Sequence, residues 1–319
     1  MRTAVVLVAR DGWELTRNCL GDLSAQLDDR ARFVVALADN GSSDGTPEKV
    51  RRLFPAVRVV ELGENLGFGT ANNRAIKALA DAGEEFDSIC LLNNDTRFAP
   101  DFLPTLRKAL EDAEALVGEG ETAVVVPTVL DPDGTPQPAF FAGFGPDGIG
   151  AFRFLANALK REDRANAVLR GTPLPTAVPG LRETRWASAV CWMFPRALHD
   201  RIGASGDFFD ERIFMYCEDA DLALRARGIG ARFFVSDRPV LVHLGGGSAR
   251  SRLDRALQHD RSMRYVLGKR FGFRGRLLAR LHDVLRSSSR VLVLLPFAFR
   301  SEPRRRFRLH FRLLLEALR

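Results

Sequence analysis

The chain has 319 residues, of which 46% are hydrophobic and 27% are charged. This composition excludes wholesale disorder and provides enough apolar sequence for a large core. The formal net charge of +7 conceals an asymmetry, since residues 264–319 carry 15 Arg and Lys against 3 Asp and Glu, and residues 1–263 are mildly acidic.

The cysteines and the N-terminus both favour an intracellular protein. Only six apolar residues separate Thr3 from Arg10, too few for the apolar core of a secretory signal. The four cysteines have no C-x-x-C pairing and no regular spacing. A zinc cluster or a disulfide framework is therefore not expected, and a reducing cytoplasm is the simplest location.

The first part of the chain predicts alternating strands and helices. Continuous apolar runs, typical of buried parallel strands, occur at 4–8, 33–38 and 89–92. Helical periodicity occurs at 46–53, 69–82 and 103–113, and a further strand is predicted at 123–126. This order indicates an α/β sheet, in which ligands bind beyond the carboxyl ends of the strands.

The second part is less regular before order returns. Frequent Pro and Gly predict an irregular insertion over the sheet at 130–181. Beyond it, regular structure is predicted at 187–194, a charged helix at 219–227, and short strands at 231–235 and 240–244.

The basic tail at 264–319 predicts two amphipathic, cationic helices. Their apolar faces contain Leu277, Leu278, Leu281, Val284 and Leu285 in the first helix, and Phe307, Phe311, Leu314, Leu315 and Leu318 in the second. The apolar segment 291–299 between them would cover about 14 Å as a helix, against a hydrocarbon core of about 30 Å. We expect the tail to lie on an anionic membrane surface. The alternative is that it packs on the body or on a second copy of the chain.

Polar residues follow two of the predicted strands. Asp39 opens the Gly-rich turn at 39–46, where a carboxylate suits a nucleotide, although the same residues also suit a turn with a helix N-cap. Asp95 follows the strand at 89–92, and its hard oxygen donors suit Mg²⁺ or Mn²⁺ bridging a diphosphate.

Two later stretches add acids and a histidine. Glu218, Asp219 and Asp221 open the charged helix and exceed what a helix cap needs. His243 ends a short strand before a glycine run that lets backbone approach a ligand. A single histidine is more often structural than ligating, so the case for His243 depends on its neighbours.

Taken in order, these stretches resemble the family-two glycosyltransferases of the GT-A fold, in particular rhamnosyltransferase-like enzymes of bacterial surface polysaccharides. That family has D-N-G-S-x-D-G-[ST], E-N-x-G-F, L-N-x-D, F-x-Y-x-E-D-x-D-L and H-x-G-G-S motifs, which correspond to 39–46, 64–68, 92–95, 214–222 and 243–248. The resemblance covers about residues 3–250. It implies a mostly parallel central sheet flanked by helices, here followed by the amphipathic helical tail.

The resemblance also assigns an activity and residue roles. It implies inverting, metal-dependent transfer of a sugar, such as rhamnose, from a nucleotide-diphosphate donor to a hydroxyl. Residues implied to bind the donor are Asp39, Asn65, Asn93 and Asn94. Asp95 and His243 would bind the divalent cofactor, Mg²⁺ or Mn²⁺. Asp219 would be the catalytic base, and Glu218 would help to hold the acceptor.

Two further residues are candidates for sugar and base contacts. Trp186 offers an apolar platform for a sugar ring. Arg10 stands after the first strand, where the family often has an aromatic residue, and its guanidinium can stack on a base instead. The identity of the base is left open by this difference.

These interpretations define the expected domains and partners. A GT-A domain is expected at 1–263, with the insertion at 130–181, and the basic tail at 264–319. The acceptor is expected to be a glycan or lipid-linked glycan of surface polysaccharide synthesis, met by a peripheral protein at the cytoplasmic face of the membrane. Nucleic acid is not expected as a partner, because no nucleic-acid-reading module accompanies the tail.

Two other functions are weighed against this one. A sugar-phosphate nucleotidylyltransferase would need a Gly-rich basic loop after the first strand, and residues 9–13 do not form one. A non-catalytic membrane adaptor with the same fold would leave the acids and His243 without a purpose.

Overall fold

The computed structural model describes residues 2–24, 26, 32–137, 140–141, 174–245, 252–297 and 301–318. These residues fold into two compact units. The first unit holds the described residues of 2–141, 174–214 and 218–245. The second holds residues 215–217 and the described residues from 252 onward.

The first unit is built on one large sheet. Its strands are β1 (Thr3–Ala9), β2 (Phe33–Asp39), β3 (Val57–Glu61), β4 (Ser88–Asn93), β5 (Thr96–Phe98), β6 (Thr122–Leu130), β8 (Leu174–Pro175), β9 (Leu181–Thr184), β11 (Cys191–Pro195) and β12 (Ala231–His243). A separate pair joins β7 (Phe140–Phe141) to β10 (Trp186–Ala187). The order in the sheet is β3-β2-β1-β4-β11-β6-β12-β9-β8, with β5 paired to β12.

The three predicted strands at the start of the chain are confirmed as neighbours. Strand β1 pairs in parallel with β2 and with β4, with Ala9 beside Asp39 and Val8 beside Asn93. Their apolar runs are continuous because both faces are buried: Val5 and Leu7 face one core cluster, and Ala4 and Val6 face the other.

Helices cover both faces of this sheet. They are α1 (Trp13–Ser24), α2 (Thr46–Leu53), α3 (Phe68–Asp81), α4 (Phe102–Glu114), α5 (Arg196–Gly203) and α6 (Glu218–Gly228). Apolar residues of α1, α2 and α4 join one core cluster, and those of α3, α5 and α6 join the other. The helices predicted at 46–53, 69–82, 103–113 and 219–227 are confirmed within one or two residues.

The sheet is mixed rather than mostly parallel toward its second half. Strand β11 runs antiparallel to β4 and β6, and the segment predicted at 187–194 is β10, a turn and β11. The two short strands predicted at 231–235 and 240–244 form the single strand β12, because β6 pairs with it on both sides of an irregularity between Ser236 and Val240. Pro239, which has no N–H to donate, lies within that irregularity. Most of the insertion predicted at 130–181 lies outside the described residues.

The second unit contains the predicted tail helices. Helix α7 (Arg252–Leu294) is interrupted at Gly272, whose φ is 62° and ψ −144°, and a short 3-10 turn (Leu295–Phe297) precedes α8 (Ser301–Leu318). The two helices contact each other where Arg280 Nε donates to Ala317 O at 2.8 Å. Because α7 begins at Arg252, it includes residues that the sequence assigns to the catalytic domain. The domain limits at 263 and 264 stay a prediction.

Candidate active site

The carboxyl ends of β2 and β4 each present a side-chain oxygen with no partner. Asp39 is 3% exposed, and its Oδ2 accepts a hydrogen bond from Ser42 N at 3.1 Å. The other oxygen, Oδ1, is buried and has no hydrogen-bond partner in the described chain, and the same holds for Asn93 Oδ1. Buried acceptors are normally satisfied, so an orphaned pair at one edge of the sheet points to a ligand that donates there.

Asn40 holds the segment of Asn65 against the turn at 39–46. Asn40 Nδ2 donates to Asn65 Oδ1 at 3.0 Å and to Gly67 O at 3.2 Å, while Asn40 Oδ1 accepts from Leu66 N at 2.8 Å. The side-chain oxygen of Asn65, a predicted donor-binding residue, is therefore committed to this frame. Asn40 was not singled out from the sequence, although it is the second residue of the D-N-G-S turn.

Two glycines permit this close approach. Gly41 has a φ of +77°, and a Cβ there would lie 2.8 Å from Glu64 C. Gly67 has a φ of +86°, and a Cβ there would lie 1.9 Å from Phe214 O. Both positions therefore require glycine for backbone conformation and for space.

The loop after β1 is fastened to the same turn. Asp11 N donates to Ser42 Oγ at 2.8 Å, and Trp13 N donates to Asp44 Oδ2 at 3.0 Å. Partial burial alone would raise the pKa of Asp44. Hydrogen bonds from Thr46 and from Trp13 N outweigh it, so the pKa of Asp44 is lowered. Arg10 stands exposed in this loop, a location open to the base contact that the sequence predicts for it.

Asp95 and His243 are brought together by the short strand β5. Thr96 of β5 is in register with His243 of β12, and Leu244 N donates to Asp95 O at 2.8 Å. As a result Asp95 Oδ1 lies 3.3 Å from His243 Nε2, with both side chains largely buried. Asn94, beside Asp95, turns its Nδ2 to Thr16 Oγ1 at 2.8 Å.

This pair fits a divalent cation whose remaining ligands come from a bound substrate and water. Within the described residues, no group of three or more His, Cys, Asp or Glu side chains is placed to hold a metal. Two ligands at right angles on an octahedral ion with bonds of about 2.1 Å lie about 3 Å apart, close to the observed 3.3 Å. A carboxylate and an imidazole suit Mn²⁺, and such sites usually take their remaining ligands from phosphate oxygens and water.

Asp219 lies near the same edge of the sheet. Its Oδ2 accepts from Ala189 N at 3.3 Å, and its Oδ1 accepts from Ala220 N at 2.7 Å. Asn93 N in turn donates to Val190 O at 2.9 Å, which ties the residue after Ala189 to the end of β4. Asp219 and the Asn93–Asp95 segment, distant in sequence, are therefore joined through one short turn.

The other two acids of α6 are more deeply buried than Asp219. Glu218 is 9% exposed, and burial, reinforced by the charge of Asp219, raises the pKa of Glu218 to about 8. Burial and the adjacent carboxylate therefore favour the neutral, protonated form of Glu218. Asp221 is buried and forms an ion pair with Arg225 at 2.9 Å, a structural contact within the helix. Asp219 itself is half-buried, and the backbone amides of Ala189 and Ala220 donate to it.

Trp186 lies on β10, three residues before Ala189. It pairs with Phe141 and packs half-buried against the core cluster on that face of the sheet. Its proposed contact with a sugar ring stays a prediction. The glycines at 246–247, in the loop after His243, lie outside the described residues.

Comparisons with known proteins find relatives in sequence and in fold. The model of the family "Glycosyl transferase family 2" matches residues 4–138. The chain is 32% identical over 274 residues to N-acetylglucosaminyl-diphospho-decaprenol L-rhamnosyltransferase of Mycobacterium tuberculosis, covering 80% of this chain and 84% of that protein.

Solved structures share the fold at low sequence identity. The mannosyltransferase PcManGT from Pyrobaculum calidifontis, in complex with GDP-Man and Mn²⁺, is 16% identical with a TM-score of 0.58, covering 99% of this chain and 86% of that one. S. aureus TarS 1–349 in complex with UDP-GlcNAc is 17% identical with a TM-score of 0.50, covering 91% of this chain and 71% of that one.

Proposed function

This chain belongs to glycosyl transferase family 2 and is a glycosyltransferase, and we propose that it transfers rhamnose, with inversion, from a nucleoside-diphosphate donor. The acceptor is a hydroxyl of a lipid-linked glycan in surface polysaccharide synthesis. The M. tuberculosis relative is named for an L-rhamnosyl transfer to N-acetylglucosaminyl-diphospho-decaprenol, which supports this donor sugar and acceptor class. The observation that carries the proposal is the convergence of the Asp95–His243 pair and Asp219 on one sheet edge.

The donor is proposed to bind at the carboxyl ends of β1, β2 and β4. The orphaned oxygens of Asp39 and Asn93 accept hydrogen bonds from its base or ribose. Arg10 stacks on the base, and Asn65 and Asn94 line the site. A divalent cation held by Asp95 and His243 would offset the charge that develops on the departing diphosphate.

Asp219 is proposed as the base on the acceptor side. The acceptor oxygen attacks the anomeric carbon, its proton passes to Asp219, and the bond from that carbon to the diphosphate breaks. Two backbone amides donate to Asp219, and such donors stabilise the negative charge that a base needs. Protonated Glu218 relieves the repulsion between adjacent carboxylates and can donate to the acceptor, while Trp186 offers it an apolar face.

A transfer assay tests the function directly. Purified full-length protein would be incubated with nucleoside-diphospho-rhamnoses of different bases and N-acetylglucosaminyl-diphospho-polyprenol, with Mn²⁺ or Mg²⁺. The expected product is a rhamnosylated lipid-linked disaccharide with inverted anomeric configuration. Donor binding without transfer to any lipid-linked glycan would favour the adaptor. Release of pyrophosphate from a nucleoside triphosphate and a sugar phosphate would favour the nucleotidylyltransferase.

The metal ligands give a first mutational prediction. Asp95→Asn and His243→Ala should each weaken donor binding in Mn²⁺ by more than tenfold, because each removes one of two protein ligands. Isothermal titration with the donor, with Mn²⁺ and with chelator, measures this effect. His199→Ala, on α5, is the matched control and should bind as wild type. Unchanged affinity in Mn²⁺ for both ligand variants would contradict the metal site.

The second unit is proposed to bind the anionic cytoplasmic surface of the membrane. In the part of the chain that is described, no helix has both the length and the apolar character needed to cross a bilayer. Large apolar side chains are nevertheless exposed along both helices, among them Phe273, Leu277, Leu281, Leu285, Phe311, Leu315 and Leu318. Monomeric soluble proteins rarely expose so many together, and such patches mark interaction surfaces.

The same unit buries charged groups beside apolar side chains such as Leu267 and Leu313. Asp260 and Asp283 are buried, Arg286 donates to Asp260, and Arg264 lies 3.5 Å from Asp283. Paired charges are thus buried while several leucines are exposed, and a helix pair lying in the headgroup region accounts for the exposed leucines. Exposed arginines flank the leucines and match anionic headgroups, including Arg274, Arg276, Arg308 and Arg312.

Vesicle flotation tests this surface. Wild-type protein should float with phosphatidylglycerol vesicles, and less with phosphatidylcholine or at high salt, because the arginines contribute about 1 kcal/mol each near an anionic surface. Leu277→Gln with Leu281→Gln should abolish flotation, whereas Leu53→Gln, an exposed leucine of the sheet unit, should not. If the protein does not float but sediments as a concentration-dependent dimer, and the double variant dissociates that dimer, the apolar surface binds a second copy of the chain and not a membrane.

A further inference from the structure

A chain of hydrogen bonds reaches His243 from the side opposite Asp95. His243 Nδ1 lies 2.9 Å from Gln137 Oε1, and Gln137 Nε2 donates to Asp131 Oδ1 at 2.8 Å. With the 3.3 Å contact between His243 Nε2 and Asp95 Oδ1, the row runs Asp131, Gln137, His243, Asp95. Neither Gln137 nor Asp131 belongs to the motifs of the family resemblance.

A tight hairpin fixes the position of Gln137. Strand β6 turns back after Leu130, which bridges to Pro136, and Gln137 N donates to Val129 O at 2.8 Å. The turn is closed by Asp131 N, which donates to Thr135 O at 2.8 Å. Since Leu130 is in register with Val242 of β12, the hairpin carries Gln137 to His243.

The row of bonds selects one orientation of the amide and one tautomer of the ring. The Asp131 carboxylate accepts, so the NH₂ group of Gln137 faces Asp131 and its carbonyl oxygen faces His243. A carbonyl oxygen requires a donor, so His243 carries its proton on Nδ1. Nε2 is then the ring nitrogen that faces Asp95, as ligation through Nε2 requires.

We propose that Gln137 is a positioning residue that holds His243 as the Nδ1–H tautomer, with Nε2 ready to bind a divalent cation. This inference rests on the proposed role of Asp95 and His243 as the metal ligands. Gln137 acts only through His243 and touches neither donor nor acceptor. Asp131 supports it by fixing which end of the amide faces the ring.

Three measurements on the full chain test this role. Mn²⁺ titration should give an affinity about 10–100-fold weaker for Gln137→Leu, as is typical when the partner of a ligating histidine is lost. Gln137→Glu combined with Asp131→Asn keeps an acceptor for Nδ1–H, with the new amide at position 131 as its donor partner, and should retain the affinity. In a His243→Ala background, Gln137→Leu should cause no further loss. ¹⁵N shifts of the His243 ring without metal should identify the Nδ1–H tautomer in wild type and a tautomer mixture in Gln137→Leu.

The outcomes separate the two proposals. If wild type binds Mn²⁺ no better than Asp95→Asn and His243→Ala, the metal site fails while the ¹⁵N shifts still decide the role of Gln137. If wild type binds Mn²⁺ through His243 but Gln137→Leu binds equally well, the positioning role is overturned alone. A neutral wild-type ring whose single proton is on Nε2 would overturn it as well. Thermal unfolding confirms that each variant is folded.

Discussion

Asp219→Asn is expected to lower the rate of sugar transfer by about 10²–10⁴-fold, the usual contribution of a general base. The amide keeps the size of the carboxylate and retains one oxygen able to accept from Ala189 N or Ala220 N. It has no basic oxygen for the acceptor proton. Donor affinity should be unchanged, because in the proposed mechanism Asp219 serves the acceptor and not the nucleotide.

Initial rates at saturating donor and acceptor, with donor affinity by calorimetry, measure both halves of this expectation. Asp81→Asn removes an exposed carboxylate paired with Lys77 on α3 and serves as the control for a lost charge. Glu218→Gln is the more informative comparison, because the raised pKa of Glu218 favours its neutral form and glutamine can still donate a hydrogen bond. Near-normal turnover in Asp219→Asn, with a large loss in Glu218→Gln, would exchange the roles of the two acids.

Gly67→Ala is expected to cost more than about 4 kcal/mol of folding free energy, in the range that is exceptional for one substitution. The new Cβ would lie 1.9 Å from Phe214 O, a backbone atom that cannot rotate away. The same carbonyl accepts a hydrogen bond from Phe68 N at 3.3 Å, so displacing it also breaks that bond. The φ of +86° is a further penalty for any residue with a side chain.

Urea unfolding measures this cost against Gly63→Ala. Gly63 has a φ of +75° with nothing within 4 Å of an added Cβ, so it isolates the conformational penalty, about 1–2 kcal/mol. The difference between the variants then contains the cost of the blocked approach to Phe214 and the added backbone cost at Gly67, whose ψ of 170° lies in a region essentially restricted to glycine. Equal unfolding midpoints for both variants would mean that the segment of Gly67 can move away from Phe214 without loss of stability.

The parts of the fold that depend on local pattern follow from the sequence. Buried strands such as β1 and β4 appear as continuous apolar runs, and α4 appears in its spacing of leucines. Strand β11 is different, because its place between β4 and β6 depends on long-range pairing that no short window contains. Strand β5, three residues long, has no recognisable pattern, yet it brings Asp95 to His243.

The site divides in the same way. Asp39, Asp95 and His243 could be named because their motifs are distinctive, and the structure brings Asp95 and His243 into contact. Asn40 and Gln137 could not, because a neutral amide acquires a role only from its partners, 25 and 106 residues away in these two cases. Asp221 received no catalytic role from the sequence, and in the structure it pairs with Arg225 four residues later within the helix.

The pairing of β5 with β12 has a consequence for biosynthesis. The strands that present Asp39 and Asn93 have all been translated by residue 93, whereas the partner of Asp95 emerges from the ribosome only with β12, near the end of the sheet unit. A chain that ends before β12 contains Asp39, Asn93 and Asp95 but has no imidazole opposite Asp95. Incomplete translation products therefore lack one of the two side chains that the proposed metal site requires.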